Sequence, residues 1–235
     1  MPAVSVDQTL YDQFPGAGIA LVVASDVRGA EVWPEAERAL AALEAETAAG
    51  TFVPADENDP AISTWHEAYR RFGTNPRRVR PSVDALCRRL TRTGRLPRIN
   101  GPVDLYNSLS VRHALPAGAF DMDALGGDVM VRFARQGDEF VALGEPDTVE
   151  TPRPGEVVYA DDISVLSRHW NHRDSDRTKV TEKSRNIIFI FETVRGPEAA
   201  EQLRTAAGEL TAGLAAYADR TTTYLLGAGS LSASW

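Results

Sequence analysis

The chain has a single cysteine, Cys87, in 235 residues, so no intrachain disulfide can form and the sequence suits a reducing compartment. It has no apolar run of membrane length. The one long run, Ala17 to Ala24, has eight residues, against the roughly 18 to 20 a helix needs to cross a bilayer. That run is expected to be a buried strand. Met1 to Gly16 contains no lysine or arginine, unlike the basic start of a secretory signal, and the expected location is cytoplasmic. Histidine is scarce, at four residues. Only His169 and His172 are close neighbours, and at the end of a strand that spacing is expected to turn them to opposite faces. With no third histidine or cysteine nearby, no metal or other cofactor is expected. Asp161-Asp162 reads as a solvated turn.

What is present is ordinary in amount and uneven in placement. Hydrophobic residues make up 43% and charged residues 25%, enough for a full core and too apolar for disorder. The net charge of −8 argues against indiscriminate coating of nucleic acid. Yet from Arg70 to Arg98 ten arginines face one acid, Asp84, leaving the rest of the chain strongly acidic. Such a stretch is either a solvated helix face or a phosphate-seeking surface.

Periodicity places the elements. Trp33-Pro34 opens a helix with Ala36, Leu40 and Leu43 on one stripe and Gly50 as its stop. Asn58-Asp59-Pro60 opens a second, with Ile62, Trp65, Tyr69 and Phe72 facing the core and Gly73 at its end. A third runs from Pro81 to about Thr91 over Val83, Leu86, Cys87 and Leu90, which makes Cys87 a packed thiol rather than a nucleophile. In Val103 to Leu115, Asp104, Asn107 and Ser108 share one helical face. Strands are expected at Val129 to Ala134, Phe140 to Leu143, Glu156 to Ala160, Ile163 to Trp170 and Ile187 to Val194, mostly antiparallel. Gly196-Pro197 opens a last helix through Leu203, Ala207, Leu210, Leu214 and Tyr217. Gly227 to Trp235 reads as loose. The fold class is α+β, helices packed on antiparallel sheets in a single domain.

Two segments concentrate polar chemistry. Asn171 to Lys179 alternates carboxylates, guanidinium groups and hydroxyls between two apolar strands, a density that suits a pocket holding a polar ligand. Leu96 to Ser108 joins the arginine-rich stretch to the polar helix face. Within these, Arg98-Ile99-Asn100, then Val103-Asp104-Leu105-Tyr106-Asn107, then Leu115-Pro116-Ala117-Gly118-Ala119-Phe120-Asp121 resemble the signature of the B3/B4 domain, the editing domain of phenylalanyl-tRNA synthetase β subunits. Phe72-Gly73-Thr74-Asn75-Pro76 and Trp170 to Lys179 resemble the signatures of its stand-alone form. The likeness covers roughly residues 60–192. It implies a core at about 60–192, a strand-and-helix extension at 1–59 and a C-terminal helix at 197–226, all within one domain of residues 1–235.

The resemblance implies a trans-acting hydrolase that removes wrongly attached amino acids from tRNA, with the acceptor end of aminoacyl-tRNA as partner. The family's tyrosine-sensing glutamate falls at Asp176, and the histidine of its Pro-Met-His-Ala-Phe-Asp element falls at Gly118. An aminoacyl ester is already activated, so a water positioned by the vicinal ribose hydroxyl, with backbone amides near Gly118 facing the oxyanion, can supply most of the acceleration. The candidates are Gly118 and Asn107 for catalysis, and Asp176, Arg173, Asp104, Arg98, Asn100 and Asn171 for the substrate. Arg77, Arg78 and Arg80 are the candidates for RNA. The competing readings are a tRNA- or RNA-binding module without chemistry and a small-molecule pocket on a reused fold.

Overall fold

The computed structural model describes residues 3–235. In chain order the elements are β1 (Ala3–Val6), α1 (Gln8–Gln13), β2 (Gly18–Ser25), α2 (Pro34–Ala49), α3 (Pro60–Arg71), α4 (Ser82–Thr93) and α5 (Gly101–Arg112). Then follow β3 (Ala117–Asp121), β4 (Val129–Phe133), β5 (Phe140–Val141), β6 (Val149–Glu150), β7 (Val157–Ala160), β8 (Val165–Arg168) and β9 (Arg173–Asp174). The chain closes with β10 (Ile187–Thr193), α6 (Ala200–Leu214), β11 (Arg220–Leu226) and β12 (Ser232–Ser234). Local chemistry sets the helix ends. Pro34 and Pro60 lie in the first turns of α2 and α3, Asp59 accepts the Ala61 N–H, and Asn100 accepts that of Val103 at the start of α5. Gly50 closes α2 at φ 73°, a conformation cheap only without a Cβ.

All seven residues of β10 are buried, so it needs cover on both faces. It receives it from two sheets and a helical layer. The four-stranded antiparallel sheet has the order β11-β2-β10-β3, and a six-stranded sheet, β12-β1-β4-β7-β8-β9, lies over one face of it. Leu21, Ile188 and Ile190 from the first meet Val131, Tyr159 and Leu166 from the second, joined by Trp65 and Tyr69 of α3. Period-two alternation sends Val22, Phe189 and Phe191 the other way, onto Leu105 and Leu109 of α5 and Leu203 and Leu210 of α6. Each such side chain contributes about 1.5–3 kcal/mol by leaving water. A third cluster joins α2, α3 and α4 through Leu40, Ile62, Val83, Cys87 and Leu90. Burial pushes the Cys87 thiol up to about 12, which leaves it inert.

The result is a single α+β unit, and it corrects three expectations. The C-terminal helix read over 197–226 ends at Leu214, and Arg220–Leu226 is a strand paired with β2. The β-branched run Thr221-Thr222-Thr223 prefers that pleated setting, while Tyr217 leaves the helix to stack on Trp33 at 4.1 Å. Gly227 to Trp235, read as loose, holds β12, which pairs with β1. Pairing is also not wholly antiparallel: β1 runs parallel to β4. The first 59 residues supply β2, between β11 and β10, so the interior of the sheet depends on them.

Candidate functional site

The site follows from the position of β3. It pairs with β10 on one side only and forms the end of its sheet. The Glu192 N–H donates to the Pro116 carbonyl at 3.0 Å, which fixes the phase of the antiparallel ladder. Gly118 and Phe120, opposite Ile190 and Ile188, then take the inward hydrogen-bonding positions, and the amides of Ala117 and Ala119 turn to the open edge. The same edge receives the Asp121 N–H to Thr178 carbonyl bond at 2.9 Å, as this phase requires.

Two cavities meet along that edge. One is a recess of about 50 Å³, bounded by Gly118, Tyr159, Trp170, Asn171, Asp174 and Glu192 among others. The second is a cleft of about 570 Å³ between the start of α5 and the loop after β9, with Asn100, Tyr106, Ala119, Asp174, Lys179 and Lys183 on its walls. Asp174 belongs to both. Ile99 and Leu143, both exposed, stand on the rim of the cleft.

Glu192 forms the recess floor. It is 2% exposed and is held by neutral donors: the Tyr159 hydroxyl, Trp170 Nε1 at 2.8 Å and Asn171 Nδ2 at 2.9 Å. Asn171 Oδ1 in turn accepts the Tyr69 hydroxyl at 2.9 Å. Burial raises Glu192 to about 7, against the downward pull of its three donors, and the nearby Asp174 adds to the rise. Asp174 is half-buried, with its Oδ2 placed to lie 3.8 Å from a Cβ built on Gly118. Burial raises it to about 6, with the Ser167 hydroxyl opposing. Both carboxyl groups bound the same recess and are raised toward neutrality, an arrangement suited to proton transfer. Burial also lowers His172, whose Nδ1 donates to the Arg80 carbonyl at 2.8 Å.

The turn beside the recess is strained. His169 and Trp170 adopt φ of 48° and 70°, a left-handed conformation unfavourable for side chains of this bulk. The Trp170 indole is fixed by Glu192 and by edge contacts with Phe14 at 5.2 Å and Trp65 at 5.1 Å. This turn corrects the expectation that the two imidazoles point apart. β8 ends at Arg168, and the rings stand 6.0 Å from each other; His169 is lowered to about 4 by burial.

The sequence candidates divide by location. Gly118 and Asn171 bound the recess, and Asn100 lines the cleft while its Nδ2 donates to the Val180 carbonyl at 3.1 Å. Asp176 lies beside the cleft, where it accepts from Lys179 at 2.9 Å and from the Gly144 N–H at 3.1 Å. Asp104 accepts the Ile99 N–H at 2.8 Å, and Asn107 is buried on α5; neither borders the recess or the cleft. Arg173 pairs with Glu145 at 2.8 Å, and Arg98 is clamped by Glu37 and Glu44 of α2. Arg77 and Arg78 are exposed, while Arg80 reaches Asp84 at 3.3 Å. Sequence reasoning passed over Glu192, Asp174, Tyr159 and Tyr106. A readable signal existed for Glu192, a lone carboxylate in the apolar run Ile187–Thr193, where burial demands partners.

A sheet-edge cleft with a carboxylate recess, on two stacked sheets backed by helices, belongs to a single α+β unit. The B3/4 domain profile matches residues 64–210, and the chain belongs to that family. It is 30% identical over 117 residues to the phenylalanine–tRNA ligase β subunit of Bordetella pertussis, covering 50% of this chain and 14% of that protein. With the same subunit of Solibacter usitatus it shares 36% over 136 residues, 55% of this chain and 17% of the relative. Thus it spans about one sixth or less of the length of these relatives. An N-terminal fragment of the phenylalanyl-tRNA synthetase β subunit from Pyrococcus horikoshii superposes with a TM-score of 0.48 at 14% identity, over 94% of this chain and 49% of that one. Among the described residues, no helix is long and apolar enough to cross a membrane.

Proposed function

We propose that this protein hydrolyses the ester bond of mischarged aminoacyl-tRNA at the open edge of β3, acting on products made by another enzyme. The observation that carries this reading is the junction of cleft and recess at Asp174, a carboxylate raised to about 6. The cleft has room for a terminal nucleoside, and Lys179 and Lys183 on its wall suit that nucleoside's 5′-phosphate. Family membership and the tRNA ligase relatives support the same substrate class.

The chemistry balances within this site. Asp174 takes a proton from water as the hydroxide adds to the ester carbonyl, a step favoured by a base titrating just below neutrality. The oxyanion forms against the outward amide of Ala119, a donor already oriented by the sheet. Collapse of the tetrahedral species breaks the bond to the ribose oxygen, which receives the proton from Asp174. Free amino acid and tRNA leave. Gly118 leaves the approach to Asp174 open, since no side chain stands between them. Asn100 and Asn171 orient the substrate through amide groups already fixed by hydrogen bonds, and Asp176 acts through Lys179.

A panel of aminoacyl-tRNAs incubated with the protein tests this. Faster release than in buffer, abolished by Asp174→Asn, is expected; release equal to the buffer rate across the panel sinks the enzyme reading. The second reading, a tRNA-binding module without chemistry, is favoured by Arg77, Arg78, Arg89, Arg92 and Arg95. All five are exposed and make no ion pair within 4.0 Å among the described residues. In that case binding persists and turnover is absent.

A further inference from the structure

The recess behind Gly118 has a size and a lining of its own, and together they restrict what it can hold. Its volume of about 50 Å³ compares with roughly 10–15 Å³ needed to hold a single water and on the order of 150 Å³ for a cavity that admits a benzene ring. It therefore accepts about two or three non-hydrogen atoms. Its walls do not yield easily. Phe120, Tyr159, Trp170 and Ile190 are each at most 3% exposed, and the Tyr159 hydroxyl and Trp170 indole are both fixed on Glu192. Widening it to aromatic size means displacing packed core.

The lining also has a sign. Among the described residues Glu192 and Asp174 bound the recess and no lysine or arginine does, while Asn171, His172 and the Ser82 and Ser167 hydroxyls add neutral polar groups. A carboxylate entering it meets like charge; Glu192 is already held by its three donors, but a plain methyl group brings no donor to the Asp174 carboxylate or to the Ser82 and Ser167 hydroxyl oxygens, which themselves only donate, at 3.4 Å. A small group carrying an O–H satisfies them. A site whose buried polar groups require a hydrogen bond rejects the analogue that lacks it far more strongly than a greasy pocket does.

We infer that the recess is the side-chain pocket of the substrate and selects small hydroxyl-bearing amino acids, of which serine is the simplest, while excluding aromatic ones. This inference rests on the proposed deacylase reading and names its substrate class.

The test measures binding of hydrolysis-resistant 3′-aminoacylamino-adenosines carrying seryl, alanyl, glycyl or tyrosyl groups to the intact protein by calorimetry. The seryl compound is expected to bind at least tenfold more tightly than the alanyl and tyrosyl ones. Gly118→Ala, whose new Cβ meets only Asp174 Oδ2 at an ordinary 3.8 Å, keeps the fold. It is expected to weaken the seryl compound severalfold and the glycyl one less. Tyrosyl binding equal to or tighter than seryl overturns the inference, as does glycyl binding equal to seryl, which would give the recess to the α-amino group. Absence of binding by all four compounds also overturns it. A seryl preference in binding without release of any amino acid from tRNA fails the deacylase reading alone. Release with tyrosyl preferred fails the pocket assignment alone.

Discussion

Asp84 in the helical region and Glu192 between the sheets are both almost without solvent contact, yet their neighbours differ in kind. Asp84 is bracketed by Arg88 Nε at 2.8 Å, Arg80 Nη1 at 3.3 Å and His66 Nε2 at 3.0 Å. Glu192 has only neutral donors and another acid close by. The groups around the first tie α3, α4 and the loop before α4 together. Neutral donors around the second leave its proton in play near pH 7. A buried acid surrounded by arginines is structural, while one lacking a countercharge beside a cavity is available for function.

Four experiments press on that contrast. The largest effect is expected for Asp174→Asn, which should lower kcat for aminoacyl-tRNA release by about 10²–10⁴-fold, the usual contribution of a general base, with an unfolding midpoint at pH 7 no lower than that of the wild type, since the variant loses a carboxylate whose ionisation burial opposes. If release is unaffected, Asp174 is not the base. Next, Asp84→Ala should reduce unfolding free energy by about 3 kcal/mol, the lower end of the range for breaking a buried pair, because both guanidinium groups can turn to water. Denaturant titration measures it, and the pH dependence of release should not move.

Glu192→Gln comes third and reads the sheet side of the contrast. A carboxyl held at about 7, above its ordinary 4.5, stabilises the folded chain fully below pH 4.5 and loses that contribution as pH rises through 7. The wild type should therefore lose up to about 3 kcal/mol across this window from Glu192, with Asp174 adding in the same direction between its ordinary 3.8 and about 6. The variant should show a flatter stability profile from pH 4.5 to 7; an unchanged slope removes Glu192 from the account. The smallest effect belongs to the arginine groove of α4, where Arg80, Arg88, Arg89 and Arg92 share one depression. Replacing Arg89 and Arg92 together by alanine should lower the salt slope of tRNA binding by about 1 to 2, since each lost phosphate contact removes about 0.7–0.9. An unaltered slope places the RNA elsewhere.

Much of the fold was readable from spacing. Proline, aspartate and glycine mark the ends of α2 and α3, and Ile187–Thr193 announces a fully buried strand. The C-terminal strand was not readable, because Leu203, Leu210 and Tyr217 continue a helical stripe that the backbone abandons after Leu214. The site was readable as two polar segments, Leu96 to Ser108 and Asn171 to Lys179, and both do border one cleft. Which of their residues face it was not. Asp104 and Asn107 share a helical face with each other but lie outside the cleft, while Val103 and Tyr106 line it. In the second segment Asp174 faces inward and Asp176 turns to Lys179.

The family, the α+β class and the apolar and polar faces of nearly every element are written in the order of residues within a few turns or a single strand. That Glu192 and Asp174, 18 positions apart, meet in one recess at the free edge of β3 follows from packing alone. The energy of a buried carboxylate is set by the groups packed around it, and those arrive from α3, β7, β9 and the turn at Trp170, distances along the chain that no local pattern encodes.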